Sequence, residues 1–282
     1  KGLSTTDVRQ VKEGIADCKV ASDHYHHFKE DILLMKELGL KAYRFSFCWA
    51  RIMPDGHHVN QKGLDFYDQI IHLCLENHIE PIPTLYHFEM PQALVDEFGG
   101  WKNRRCIDAF VEYARICFTK WKGIVNYWVT INEQLIAMAA SDLNGNHESD
   151  KVLQTKNMYQ MSYHASLAEK KAMKLLKEID PKVKTALILG EKHLKYGIFS
   201  RFFDVFPKKH IKKTKCDVIS PYYKLLLFSY IKRMHKLGIP VSVWTVKNMK
   251  QINKLTHKGV DYIIMDFPFK EGLDTLKKKT VD

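Results

Sequence analysis

The sequence has no long apolar segment. No stretch approaches the roughly 18 consecutive apolar residues of a membrane-spanning helix, and the first residues carry no apolar core like that of a secretory signal. The six cysteines are scattered, and no two of them form a Cys-x-x-Cys pair. We therefore expect reduced thiols, no bound metal and a cytoplasmic protein.

Acidic residues are scarce in the last third of the chain. Residues 1–182 contain 23 Lys and Arg against 24 Asp and Glu, whereas residues 183–282 contain 21 against 8, so the net charge of +12 arises in the second segment. Residues 208–213 and 277–279 carry much of it, without the regularly spaced aromatic residues of a nucleic-acid stacking surface. We expect solvated lysines, with an anion- or membrane-surface patch as the alternative, and neither nucleic acid nor a membrane as partner.

Helices and strands alternate along the whole chain. At 282 residues the chain can form one core, and an amphipathic helix, a Gly or Asn stop and a short apolar strand recur in it. The predicted strands are residues 42–47, 81–87, 125–130, 183–189, 217–222, 241–246 and 262–265. This alternation predicts parallel pairing and an α/β fold, a single TIM (β/α) barrel over residues 1–282. A barrel needs eight strands, so we expect the first one to be missing from this sequence.

Polar residues follow the first three predicted strands. In strand order they are Arg44 and Ser46, His87 and Glu89, and Asn132 and Glu133. The C-terminal ends of barrel strands share one mouth, so we expect these side chains to lie close together. A carboxyl group flanked by an amide, an imidazole and a guanidinium suits binding of sugar hydroxyls and proton transfer to a glycosidic oxygen.

An ordered set of short motifs resembles glycoside hydrolase family 1. The motifs are residues 21–31 (ASDHYHHFKED), 41–46 (KAYRFS), 84–91 (TLYHFEMP), 99–101 (GGW) and 130–133 (TINE). The resemblance covers residues 1–182, and the FEMP variant, the opening KGLS and the MYQ at 158–160 favour the 6-phospho-β-glucosidase branch. It implies a β-glucosidase or 6-phospho-β-glucosidase that hydrolyses a small β-glucoside or phospho-β-glucoside and uses no cofactor.

The resemblance also implies a role for individual residues. Glu133 takes the position of the general acid/base, and Asn132 that of the contact to the sugar 2-hydroxyl. His87 takes the position that binds the glycone, and Arg44 the position that orients the nucleophile carboxylate.

The nucleophile of that family is not identifiable in this sequence. The family retains configuration, which requires a second carboxylate about 5–5.5 Å from the first. Its seventh-strand Ile-Thr-Glu-Asn-Gly motif is absent, and residues 241–248 (VSVWTVKN) contain no carboxylate. Glu191 and Asp266 are the other candidates near the mouth, and neither matches the family. We therefore expect reduced activity or none.

The last hundred residues resemble the C-terminal part of glycerophosphodiester phosphodiesterases. Residues 237–246 (LGIPVSVWTV) and 259–268 (GVDYIIMDFP) follow the closing strand, helix and strand of that family. The resemblance implies that Trp244 lines a substrate pocket. The chain therefore looks like a chimera of residues 1–182 and 183–282. A phosphodiesterase and a non-catalytic sugar-binding or structural barrel remain the alternatives to a glycosidase.

Overall fold

The structure is a computed structural model, which describes residues 1–9, 20–134, 138, 149–189 and 202–265. The chain divides into two compact units, Lys1–Val183 and Lys184–Asp282. The boundary falls next to the change in charge at residue 182. No helix in the described ranges is long and apolar enough to cross a membrane. The five cysteines that the structure describes are free thiols.

Helices and strands alternate in the first unit. They are α1 (His24–Glu37), β1 (Ala42–Ser46), α2 (Trp49–Ile52), α3 (Gln61–Glu76), β2 (Glu80–Tyr86), α4 (Gln92–Phe98), α5 (Arg105–Lys120), β3 (Val129–Ile131) and α6 (Lys151–Ile179). The strands form a parallel sheet in the order β1-β2-β3, with Ser46 beside Thr84 and Tyr86 beside Ile131. Their C-terminal ends therefore lie at one edge of the sheet.

The core of this unit lies between the sheet and the helices. In α5 the buried residues recur at helical spacing, as Ile107, Phe110 and Ala114 do, so the helix has one apolar face. Against it packs α6, whose buried face is rich in alanine and therefore allows close approach. The N-terminus of α6 is capped by the Asp150 carboxylate, which accepts hydrogen bonds from two backbone N–H groups of the first turn.

The second unit has its own smaller core. Its elements are β4 (Ala186–Leu189), α7 (Phe202–Val205), α8 (Lys208–Thr214), β5 (Val218–Pro221), α9 (Tyr230–His235), β6 (Ser242–Val246), α10 (Met249–His257) and β7 (Tyr262–Met265). β4 pairs with β5 and β6 with β7, both in parallel. Isolated bridges, including Tyr222 to Trp244, join the β5 and β6 regions. Within each unit, the described strands therefore pair with strands that are adjacent in sequence.

The seven predicted strands are confirmed, but the starts of the third and fourth were wrong, and β4 begins at Ala186 instead of residue 183. Residues 125–130 were expected to be extended, and β3 begins only at Val129. The N–H groups of Ile124 and Val125 both donate to the carbonyl of Trp121, so a turn follows α5. Val125 is buried in that turn, and its apolar character made the segment resemble a strand.

Candidate functional site

The structure brings four of the predicted site residues together at the C-terminal ends of β1, β2 and β3. Nη2 of Arg44 donates a hydrogen bond to Oδ1 of Asn132 at 2.5 Å. The hydroxyl of Ser46 and Nδ1 of His87 are hydrogen-bonded at 3.0 Å. Electrostatic interactions of Glu133 with Arg44 and His87 place it in the same group.

Backbone geometry at the strand ends presents these side chains. The N–H of Asn132 donates to the carbonyl of Tyr86, which extends the pairing of β2 and β3 by one residue. The next residue, Glu133, has a φ of 38°, and Phe88 after His87 has a φ of 68°. Such left-handed conformations are uncommon outside glycine and end the strands abruptly, so the chain turns at the residues that carry the polar groups.

Two pKa shifts describe the electrostatics of the site. Partial removal from water lowers the pKa of the His87 imidazole, the Arg44 charge lowers it further, and Glu133 acts in the opposite sense. Desolvation also lowers the pKa of Arg44, whereas the charge of Glu133 raises it. These side chains remain exposed to solvent, which weakens their mutual attraction. A neutral imidazole beside a guanidinium and a carboxylate can bind several hydroxyl groups at once.

The Arg44 guanidinium has neutral hydrogen-bond acceptors. Its Nε donates to Oγ1 of Thr84 at 3.1 Å, in addition to the bond with Asn132. Within the described ranges, Glu133 is the one carboxylate whose charge shifts the pKa of Arg44. Glu191 and Asp266, the other candidate nucleophiles, lie outside the described residues.

Comparison with a protein family identifies the scaffold. Residues 1–205, well over half of the chain, match the profile of Glycosyl hydrolase family 1. The chain belongs to glycosyl hydrolase family 1. The resemblance predicted from the ordered motifs is thereby confirmed, and the match continues beyond residue 182. The phosphodiesterase resemblance of the later residues stays a prediction.

Curated relatives of this family 1 chain include hydrolases of two kinds. Aryl-phospho-beta-D-glucosidase BglC of Bacillus subtilis (strain 168) is 43% identical over 167 residues, 59% of this chain and 35% of the relative. Beta-glucosidase A of Acetivibrio thermocellus is 44% identical over 174 residues, 61% of this chain and 38% of the relative. The family 1 chain therefore spans little more than a third of the length of these relatives.

A solved structure confirms the fold class. The β-glucosidase of Thermotoga maritima has a TM-score of 0.69 to the family 1 chain, at 22% identity, over 95% of this chain and 83% of the other. At that identity the likeness shows the fold alone. It confirms the predicted α/β class and TIM (β/α) barrel fold.

Trp244 lies on β6 of the second unit. Its indole N–H donates to the carbonyl of Ser220 at 3.0 Å, and its ring packs against Tyr222 with centroids 5.4 Å apart. These contacts fix the ring inside a small cluster with Val205 and Leu225. A role for Trp244 in substrate binding stays a prediction.

Sequence reasoning missed Glu169 of α6, which is bonded to β3 close in sequence to Glu133. Oγ1 of Thr130 on β3 donates to Oε1 of Glu169 on α6 at 2.6 Å, and burial raises the pKa of this carboxyl group. Gln134, next to Glu133, also donates to α6, at the Ser162 carbonyl. One signal was available, because Glu169 follows the buried Ala165 by one helical turn and interrupts an apolar face.

The partly buried carboxyl group of Glu169 predicts a pH dependence of stability. Its folded-state pKa lies above the unfolded value near 4.5, so the folded protein binds this proton more tightly. The associated stability is fully present below the unfolded pKa and is lost as the pH rises through the folded pKa. We expect Glu169→Gln to gain stability relative to the wild type as the pH rises, by about 1 kcal/mol.

The measurement is urea unfolding of both proteins at several pH values between about 4 and 8. Glu178→Gln is the matched control, because Glu178 is an exposed residue of the same helix. Its difference from the wild type should stay nearly constant with pH. If the difference in unfolding free energy between Glu169→Gln and the wild type also stayed constant with pH, it would contradict a raised pKa of Glu169.

Proposed function

We propose that this chain carries the acid/base half of a retaining β-glycosidase site, with Glu133 as the acid/base and a β-glucoside or 6-phospho-β-glucoside as substrate. The observation that supports it best is the cluster at the strand ends, where Arg44 bonds Asn132 and the Glu133 charge acts on both Arg44 and His87. The relatives are named aryl-phospho-β-glucosidase and β-glucosidase, which supports both substrate types.

The hydrogen bonds within the cluster suit these roles. Oδ1 of Asn132 accepts from Arg44, which leaves the amide NH₂ free to donate to a sugar hydroxyl. Nδ1 of His87 is bonded to Ser46, which leaves Nε2 for a second hydroxyl. The Glu133 carboxylic acid would then protonate the glycosidic oxygen, and its carboxylate would accept a proton from the attacking water.

We further propose that turnover is slow or absent because no nucleophile is identifiable in this sequence. A retaining mechanism needs a second carboxylate on the opposite side of the sugar. Arg44 is the residue that would hold it, and its guanidinium donates to Thr84 and Asn132. Without that carboxylate the site binds a glycoside better than it cleaves it.

The test compares the wild type with Glu133→Gln on 4-nitrophenyl β-glucoside and on its 6-phosphate. We expect slow release of nitrophenol by the wild type and a loss of about 100-fold in Glu133→Gln, because the amide can neither protonate the leaving oxygen nor accept a proton from the attacking water. The control is Glu112→Gln, an exposed glutamate of α5 paired with Arg115, which should keep wild-type rates.

Calorimetric titration with the same glucosides separates the remaining outcomes. Activity unchanged in Glu133→Gln would contradict the acid/base role. Saturable binding without turnover would favour a sugar-binding protein, and neither binding nor turnover would favour a structural one. Preference for the 6-phosphate would assign the chain to the phospho-β-glucosidase type.

We also propose that the chain is a cytoplasmic chimera, with residues 183–282 derived from a phosphodiesterase-type barrel. The unit boundary at Val183 and the change in charge at residue 182 support this origin. Phosphodiester hydrolysis is the less favoured alternative, because the resemblance to phosphodiesterases is confined to the later residues, whereas residues 1–205 match the family 1 profile. Sequencing the transcript across codons 179–184 would test the junction. A transcript in which these codons are not contiguous would overturn the proposed chimera.

A further inference from the structure

Three polar residues on one face of α6 bond to the end of β3. Ser162, Ser166 and Glu169 follow one another at spacings of four and three residues, which places them on the same side of the helix. Oε1 of Glu169 accepts from Oγ1 of Thr130 at 2.6 Å. The two serines accept from Nε2 of Gln134, through the carbonyl of Ser162 at 2.6 Å and Oγ of Ser166 at 2.7 Å. The helix therefore holds the chain on both sides of the proposed acid/base.

The amide of Gln134 is fixed by a closed network. An amide NH₂ group has two N–H donors, and Nε2 of Gln134 has two acceptors on α6. The acceptors are themselves connected, because Oγ of Ser166 donates to the carbonyl of Ser162 at 2.9 Å. A network of this kind, with each of its N–H and O–H donors satisfied, rigidifies the groups that form it.

The anchor of this network is itself rigid. The helix α6 is 29 residues long and packs against α5. Its Ala165, Ala168 and Ala172 are fully buried in the core of the first unit. A helix that is closely packed along its length moves little. A side chain that is bonded to α6 is therefore held in place relative to this core.

Glu133 needs such support because its backbone is strained. Its φ of 38° lies in the left-handed region, which a non-glycine residue keeps only where its surroundings fix the backbone. On one side, Asn132 is fixed by its N–H bond to the Tyr86 carbonyl and by its side-chain bond to Arg44. On the other side, Gln134 is tied to α6. Without the two bonds of Gln134 the backbone of Glu133 would be free to relax, and its carboxylate would move.

We propose that Gln134 is a positioning residue that ties the turn at Glu133 to α6 and thereby keeps the Glu133 carboxylate beside Arg44 and His87. The proposal rests on the acid/base role proposed for Glu133. Gln134 acts through Glu133 and not on the sugar, because both N–H groups of its amide are directed at α6. An apolar side chain at this position would pack against the helix but would not fix the direction of the turn.

The experiment measures the pKa of His87 by NMR titration of its ring protons, which are assigned with His87→Gln. The charge of Glu133 raises this pKa, so Glu133→Gln should lower it. Gln134→Met keeps the length of the side chain and has no N–H donor. It should produce at least half of the same decrease, because a released carboxylate spends less time beside the imidazole. Gln160→Met is the matched control and should keep the wild-type pKa of His87, since Gln160 is an exposed glutamine of the same helix.

Kinetics on the nitrophenyl glucosides adds a second readout. Gln134→Met should lower kcat by about 10-fold and leave KM nearly unchanged, because a misplaced acid/base slows the chemical step more than it weakens binding. Gln134→Asn is the second variant if Gln134→Met does not fold, as judged by circular dichroism. Its amide is one methylene too short to reach α6, so it should lower the pKa of His87 in the same way.

Three outcomes separate this proposal from the proposed function. The proposal is overturned if a folded variant of Gln134 keeps the wild-type pKa of His87 while Glu133→Gln lowers it. It is also overturned if Glu133→Gln leaves that pKa unchanged, because the carboxylate is then not beside the imidazole. A lower pKa in both variants, together with unchanged activity in Glu133→Gln, would support the positioning and contradict the acid/base role alone.

Discussion

Phe110→Ala is expected to lower the free energy of unfolding of the first unit by about 3–5 kcal/mol. The side chain is fully buried, and its ring lies 5.7 Å from the rings of both Trp49 and Trp101. Truncation leaves a cavity surrounded by large rigid rings, which cannot collapse into it. The loss of stability therefore combines the transfer free energy of the buried ring with nearly the full cost of the cavity that it leaves.

Chemical denaturation followed by tryptophan fluorescence measures this effect. Four of the five tryptophans lie within Lys1–Val183, so the signal reports mainly on the first unit. Tyr159→Ala is the control, because Tyr159 is 64% exposed on α6 and its removal should change the stability by at most about 0.5 kcal/mol. A loss below about 1 kcal/mol for Phe110→Ala would contradict the packing described here.

Gly63→Ala is expected to destabilise the first unit by about 3 kcal/mol, although alanine has the higher helix propensity. Within a helix, alanine is favoured over glycine by about 1 kcal/mol, so propensity alone predicts a gain. A Cβ on Gly63 would lie 2.1 Å from the carbonyl oxygen of Arg51. That carbonyl belongs to α2 and accepts a hydrogen bond from the Asn60 amide, so it cannot move aside cheaply.

Whether Gly63→Ala raises or lowers the free energy of unfolding decides between helix propensity and the steric clash. The same fluorescence assay compares Gly63→Ala with Lys62→Ala, an exposed neighbour whose substitution should be nearly neutral. A stabilised Gly63→Ala protein would show that α2 and α3 are not in close contact at this position.

Local sequence patterns predicted the strands better than their ends. β1 was recognisable because the buried Phe45 and Phe47 alternate with the polar Arg44 and Ser46. The turn before β3 was not, because Val125 is buried in a turn as it would be in a strand. Burial explains the apolar residue, and periodicity over a few residues does not tell which backbone conformation buries it.

In the site, too, the positions of the residues were predictable from the sequence, whereas the contacts between them were not. The ordered motifs placed Arg44, His87, Asn132 and Glu133 at strand ends, and the structure brings them together. The partners of Arg44 were not predictable, because the bond to Asn132 depends on the orientation of two side chains from different strands. Glu169 escaped notice for a related reason, since its burial is set by the packing of α6 on β3.

Pairing between sequence neighbours has a consequence for how the chain folds. Ser242 pairs with Tyr262 and Ala42 with Glu80, so forming each of these strand pairs closes only a short chain segment. The loss of chain entropy is correspondingly small. The first unit can therefore assemble its sheet and core from residues that precede Lys184. During synthesis it can begin to fold on the ribosome while the second unit is still being translated.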